Sequence, residues 1–312
     1  QEKSRSIIEE NPYRLIDDVD FFTFEIADAI ARRLNWKRDS IERAQASLHD
    51  QLKRAYEDGH VCLPKDELIG YSTRQVGSID KVKEALVLQL NTHHLCERIS
   101  NQVSYIYQSE MEQIEAEVTR EIITKIDQTC KTLKYILSDI EAQCSINLAD
   151  AQAKALEMAS KESLLLLTGG PGTGKTTTVK TLLALFESHK LDVQLAAPTG
   201  RAARRLSETT NKEAKTIHRL LDYQPLEEEF RRGIDLPLET DVILVDEMSM
   251  VDLKLFVALM RAVPKRARLI LVGDANQLPS VGPGRVYHEL LVSQTVPTVT
   301  LTHIFRQAQE SH

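Results

Sequence analysis

Lys175 closes the run Gly169-Gly-Pro-Gly-Thr-Gly-Lys175-Thr176, and two acidic segments follow it, Val245-Asp246-Glu247 and Gly273-Asp274-Ala-Asn-Gln277. Residues of these types in this order can hold a nucleoside triphosphate and cleave it. Glycines 169, 170, 172 and 174 let backbone N–H groups turn inward around an anion, and a helix N-terminus adds the positive end of its dipole. The predicted nucleotide-binding run is Gly170, Pro171, Gly172, Thr173, Gly174, Lys175, Thr176 and Thr177, with the Lys175 ammonium near the β and γ phosphates. Thr176 is a candidate magnesium ligand.

Asp246 ends an apolar strand, which places its carboxylate where it can hold Mg2+ through Thr176 or water. Glu247, one residue on, can reach the water in line with the γ phosphate and act as general base. Gln277 carries an amide able to hydrogen-bond both the γ phosphate and the attacking water. A structural glycine turn or an acidic helix start would explain any one segment. The phosphate-binding run between a strand and a helix, followed by the other two in order, is what gives the reading its specificity.

Positioning these groups requires strands that end together. The apolar runs 164–168, 193–197, 242–245 and 269–272 alternate with amphipathic helices, including one over 177–187, a texture that suits a parallel sheet covered on both faces. Up to about residue 146 the chain instead reads as helical. Three-and-four spacing of apolar residues predicts helices over 24–34, 40–58, 81–90 and a long stretch over 92–138. Strand signals are nearly absent there, apart from a short extended run at 59–64, stopped by Pro64, that predicts a β-ribbon or wing.

At 312 residues the chain exceeds what one core usually organises. An apolar content of 42% with 27% charged residues is ordinary, and no run approaches the roughly 18 apolar residues of a membrane span. No membrane partner and a cytoplasmic location follow as expectations. The chain starts at Gln1 without a basic-then-apolar leader, so no secretory signal is read and the natural N-terminus is expected to lie upstream. Cys62, Cys96, Cys130 and Cys144 form no C-x-x-C pair and are read as reduced, mostly buried thiols. The even spacing of the first three is coincidence, since their flanks share nothing. A net charge of −7 excludes bulk attraction to nucleic acid, so any such site is local. The segment 199–219 is the candidate, with Arg201, Arg204, Arg205, Lys212, Lys215 and Arg219 against Glu208 and Glu213.

With these residues in hand, the chain resembles the RecD-like superfamily 1 DNA helicases, including the form with an N-terminal extension. Besides the three motifs, the resemblance rests on Ala197-Pro-Thr-Gly-Arg-Ala-Ala203, Thr216-Ile-His-Arg-Leu-Leu221, Met248-Ser-Met-Val-Asp252, Leu278-Pro-Ser-Val-Gly-Pro-Gly284 and Leu301-Thr-His-Ile-Phe-Arg-Gln307. It implies an α/β fold, a helical N-terminal accessory region followed by a RecA-like P-loop NTPase domain. The implied layout is an accessory domain over 1–75, a helical link over 76–146, a first motor domain over 147–298 and the start of a second over 299–312. Residues 222–239 sit where relatives insert a small hairpin thought to split the duplex.

The same resemblance implies an ATP-dependent helicase, moving 5′ to 3′, that couples ATP hydrolysis with Mg2+ to translocation in DNA repair or recombination. It implies that Gln152 reads adenine, that Arg306 reaches the γ phosphate as an arginine finger, and that Pro198, Thr199, Gly200, Arg201, Thr216 and His218 contact single-stranded DNA. Partners would be single strands and duplex junctions at the nucleoid, with protein partners at the N-terminal region. There Val19-Asp-Phe-Phe-Thr-Phe24 departs from the glycines of a helix-hairpin-helix turn, which points to protein packing rather than DNA contact. Because the chain stops at His312, soon after the arginine block, a fragment that translocates poorly by itself is expected. The rivals are an RNA helicase, and a nucleotide-gated adaptor that unwinds nothing.

Overall fold

The computed structural model describes residues 10–18, 22–278 and 280–303. Contacts divide the chain into two compact units, residues 1–115 with 282–284, and residues 116–281 with 285–312.

In the first unit, helical turns at Pro12–Arg14 and Leu15–Asp18 precede α1 (Phe24–Arg33) and α2 (Ile41–Glu57). Thr23 and Ser40 cap these two helices, their hydroxyls accepting from the N–H of Ile26 and Arg43. After β1 (Leu63–Pro64) come α3 (Lys65–Val76), closed by Gly77 at φ 87°, and α4 (Ile79–Asn91). Leu48, Leu52, Leu68, Val82 and Leu86 form one core cluster, and Tyr13, Ile16, Phe24, Ala27 and Ala31 another. Asp28 accepts from Arg43 Nε at 2.6 Å and from the Tyr13 hydroxyl at 2.9 Å. Arg43 also donates to the carbonyls of Gln75 and Val76, so one buried guanidinium ties α1, α2 and the end of α3 together. Burial opposes charge on Asp28, but hydrogen bonds from Arg43, Tyr13 and Arg32 hold its carboxyl below the usual carboxylate range.

The helix expected over 92–138 is corrected by a hairpin, β2 (Leu95–Ser100) and β3 (Val103–Gln108). Asn101 and Gln102 both take positive φ, 48° and 66°, the backbone of a two-residue turn whose twist matches antiparallel strands. The strand-forming Val103-Ser-Tyr-Ile-Tyr run, with only Ile106 deeply buried, overrides the helical spacing. β1 pairs antiparallel with β3, so of the extended run expected at 59–64 only Leu63–Pro64 is strand, the third of a small sheet in the order β1-β3-β2. Helix resumes only at α5 (Ser109–Ile126), and no strand or helix covers 128–136.

The second unit is built on a six-stranded sheet. Its strands are β4 (Leu164–Gly169), β5 (Val193–Ala197), β6 (Ala214–Thr216), β9 (Val242–Val245), β10 (Arg268–Gly273) and β11 (Thr298–Leu301), in the order β11-β4-β10-β9-β5-β6. Every pairing is parallel. Leu164 to Leu167 and Val242 to Val245 are at most 1% exposed, which is why both strands read as unbroken apolar runs. The flanking helices include α6 (Leu137–Cys144), α7 (Asp150–Lys161), α8 (Lys175–Ser188) and α9 (Gly200–Thr210), then the short α10 (Ile217–Leu220). A small hairpin follows, β7 (Tyr223–Gln224) antiparallel to β8 (Glu229–Phe230), and the unit ends with α11 (Leu253–Ala262) and α12 (Val286–Ser293). The boundary expected at 298 falls inside this sheet, because Thr298 to Leu301 pair with Leu166 to Gly169.

All four cysteines are free, and each is half-buried rather than buried. Among the described residues no helix is long and apolar enough to cross a membrane.

Candidate nucleotide and nucleic-acid site

β4, β10 and β9 are neighbours and run parallel, so the segments leaving their C-terminal ends emerge at one edge of the sheet. Those segments are the phosphate loop, Asp274 to Gln277, and Asp246-Glu247. Open parallel sheets bind ligands at that edge.

The loop's backbone depends on glycine at defined points. Gly172 and Gly174 have φ of 76° and 88°, which favours a residue without Cβ, and Gly174 leads directly into α8. A Cβ on Gly169 would stand 2.5 Å from Thr173 Oγ1 and 2.9 Å from the Leu301 carbonyl. Thr173 donates to the Gly170 carbonyl at 2.8 Å, bracing the loop from within. Lys175 Nζ donates to the carbonyls of Gly169 and Gly170 and lies 3.9 Å from Asp274 Oδ2. Asp274 is 2% exposed, and the sequence alone assigned it no role although it lies inside the Gly273 to Gln277 motif. Its side chain accepts from Asn276 N at 2.9 Å and its carbonyl from Gln277 N at 3.2 Å, which sets the turn carrying Gln277.

Asp246 is pinned at the end of β9, its N–H donating to the Ala196 carbonyl at 2.9 Å. Burial raises its carboxyl above the usual range and the neighbouring Glu247 adds to this, while the Glu247 N–H and the cations Lys175 and Arg205 pull the other way. Glu247 has φ of 55°, the left-handed region, and its Oε2 is buried with no hydrogen-bond partner. A non-glycine residue held there stores strain, a feature that clusters at functional sites. A buried carboxylate oxygen without a protein donor fits a group that takes a proton from water, and two carboxylates beside a phosphate loop fit a divalent cation. Ser249, in the 3-10 turn Met248–Met250, donates to Gln277 Oε1 at 3.1 Å and so links the second segment to the third.

Gln152, on α7, is 2% exposed. Its Oε1 accepts from Ala149 N at 3.1 Å and its Nε2 points at the Gly174 carbonyl at 3.4 Å, so the amide is braced against both its own helix start and the phosphate loop. Arg306 lies outside the described residues. The glycine-poor turn at 19–24 is described only from Phe22 onward.

The residues expected on a nucleic-acid strand follow β5 and β6, whose ends are paired at Ala197 and Thr216. Thr199 and Thr216 both spend their oxygens as helix caps, accepting from Ala202 N at 3.2 Å and Arg219 N at 3.1 Å, which leaves each hydroxyl proton to donate outward. Gly200, Arg201 and His218 are exposed, and Pro198 is half-buried. Of the basic segment, Arg204 and Lys212 are committed to Glu208 and Glu187 at 3.0 and 3.2 Å. The His218 ring lies 5.3 Å from that of Tyr223 and 5.6 Å from that of Phe230, an aromatic trio at the base of the small hairpin. At the hairpin's turn Leu226 is fully exposed.

A family model described as the ATP-dependent RecD2 DNA helicase HHH domain matches residues 1–62, and one described as an AAA domain matches residues 152–283. The chain is 46% identical over 164 residues to the ATP-dependent RecD2 DNA helicase of Deinococcus radiodurans, covering 53% of this chain and 22% of that protein. It is 44% identical over 165 residues to the RecBCD enzyme subunit RecD of Mycobacterium tuberculosis, covering 46% of this chain and 28% of that protein. The chain thus spans about a quarter of the length of these relatives. Among solved structures, the Pif1 helicase from Candida albicans is 25% identical, with a TM-score of 0.40 over 52% of this chain and 41% of that one.

Proposed function

We propose, from the premise that the chain belongs to the RecD-like superfamily 1 helicases, that it is the accessory region and first motor domain of an ATP-dependent DNA helicase. The observation that carries this is the meeting of three motifs on adjacent parallel strands, with the unpartnered Glu247 oxygen among them. Family membership implies use of a nucleotide, ATP.

In this reading the backbone N–H groups of the phosphate loop and Lys175 hold the phosphates. Thr176 and Asp246 would hold Mg2+, which when bound neutralises charge on the phosphates. Glu247 takes the proton of the attacking water, and Gln277 orients that water against the γ phosphate. Gln152, braced on the loop, presents its remaining amide valences to the base. Arg306 completes the charge stabilisation.

Pro198, Thr199, Gly200, Arg201, Thr216 and His218 grip a single strand through backbone, hydroxyl and cation contacts. Such contacts carry no sequence code, as translocation requires. The Tyr223 to Phe230 hairpin stands at the end of that track, as a wedge at a duplex junction would. Movement 5′ to 3′ and work at the nucleoid in repair or recombination belong to the same proposal, as do protein partners at the N-terminal unit.

The test is ATP hydrolysis with and without single-stranded DNA, on the longest natural polypeptide that contains this chain. Strong stimulation by DNA is expected. Absence of stimulation would replace the motor with a nucleotide-gated adaptor, and equal stimulation by matched RNA would replace the substrate.

A further inference from the structure

We propose that Ser249 is a positioning residue for Gln277, tethering the carbonyl end of its amide; this rests on the motor reading above. The hydroxyl is placed by the strained turn at Glu247. Met250 N donates to the Glu247 carbonyl and Val251 N to the Met248 carbonyl, both at 3.1 Å, and Met248 is fully buried beneath. Ser249 is therefore carried on a single 3-10 turn, two residues beyond the proposed general base. Its partner is placed independently, by the Asp274 turn whose carboxylate lies 3.9 Å from Lys175.

A glutamine amide can rotate by half a turn and exchange a carbonyl for an NH2 in almost the same space. Facing an anionic phosphate, the carbonyl repels and the NH2 attracts. A hydroxyl that donates to Oε1 at 3.1 Å occupies the carbonyl end and leaves both Nε2 protons to point elsewhere. Among the described residues no other side-chain contact to Gln277 competes with this one, so Ser249 is what holds the amide there. It also joins the segment bearing Glu247 to the segment bearing Gln277, so that the base and the water-orienting amide keep a fixed relation.

The test is a double-mutant cycle in the longest natural polypeptide, read as steady-state ATP turnover at saturating single-stranded DNA. Affinity for a fluorescent ADP and melting temperature are measured beside it. Ser249→Ala is expected to lower kcat about five-fold, the loss of one hydrogen bond's worth of preference, with nucleotide affinity unchanged. Ser249→Thr, which keeps the donor, restores turnover. In a Gln277→Ala background Ser249→Ala has no further effect, because its route to the nucleotide is already gone. Ser249→Cys keeps the size with a weaker donor and gives an intermediate kcat, which serves as the readout if the alanine variant melts below the assay temperature.

An unchanged kcat in Ser249→Ala, or the same five-fold loss added on top of Gln277→Ala, overturns the proposal. Lys175→Ala separates the two levels. If it abolishes turnover while Ser249→Ala is silent, only the positioning role fails; if it leaves turnover intact, the nucleotide reading itself fails.

Discussion

Tyr287 donates its hydroxyl proton to the carbonyl of Leu167, 2.8 Å away, from a ring that also covers Gly273. Leu167 lies on the strand that delivers the phosphate loop and Gly273 on the strand that delivers Asp274, so one side chain from α12 fixes both. Burial pushes the Tyr287 phenol well above its ordinary value, which keeps it a neutral donor throughout the working pH range.

A Cβ added at Gly273 would lie 2.6 Å from Tyr287 Cε1. Gly273→Ala is therefore expected to destabilise the protein by about 1–3 kcal/mol through overpacking, and Tyr287→Phe by about 1 kcal/mol through the lost hydrogen bond. Denaturant melts of the two variants check this, and the Tyr287→Leu change should relieve part of the Gly273→Ala cost.

Glu247→Gln keeps the size of the side chain and removes its basicity. Turnover should fall by roughly 10²- to 10⁴-fold while nucleotide affinity stays within a small factor. Single-turnover hydrolysis and equilibrium nucleotide binding measured on one preparation decide it, and a parallel loss of binding would move Glu247 from chemistry to structure.

Thr199 caps α9, and the proposed function gives it a second, separable job, donating to a nucleic-acid strand. Thr199→Ala should cost about 1 kcal/mol of stability as a lost cap, and Thr199→Asp should recover it, since aspartate caps equally well but has no proton to donate. Affinity for single-stranded DNA is expected to drop in both variants. Recovery of affinity together with stability would show that the residue acts only through the helix.

Lys125, 4% exposed, donates to the carbonyls of Pro264, Lys265 and Ala267, and among the described residues no carboxylate pairs with it. Lys125→Met leaves those carbonyls without their donor and should cost about 1–3 kcal/mol. Burial lowers the ammonium from 10.5 to about 8. Below pH 8 folded and unfolded chains both carry the proton, and the fold bears the full cost of the buried charge. Between pH 8 and 10.5 the unfolded chain binds more protons than the folded one, so this group makes stability rise with pH across that window. Chemical denaturation of wild type and Lys125→Met across that range should show the difference between them widening in favour of wild type.

Strands β4, β5, β9 and β10 of the six-stranded sheet were legible because they are buried almost throughout and therefore written as apolar runs, whereas the half-buried Ala214–Thr216 and the alternating Thr298–Leu301 carry no such signal. The phosphate loop was legible because its geometry needs glycines in fixed places. The β2-β3 hairpin was not, since Asn101-Gln102 is a weak turn signal and Leu95, Ile99, Val103 and Ile106 also satisfy helical spacing. Pairing of Leu63 with Ile106 across 43 positions is a long-range event that no local window contains. Tyr287 and Asp274 were missed for the same reason, as their importance lies in what they touch.

By itself the sequence determined the chemistry on offer: a phosphate-binding loop, two carboxylates and an amide in a fixed order, on strands whose composition demands a covered parallel sheet. Only the tertiary structure decided that these groups share one edge. The strand order β4-β10-β9 places segments about 70 and 100 residues downstream beside the loop, because burial of apolar strands selects neighbours by packing rather than by distance along the chain. It also decided that Glu247 sits at positive φ with an unpartnered oxygen and that Ser249 holds Gln277, since backbone strain and hydrogen-bond accounting exist only once the chain is folded.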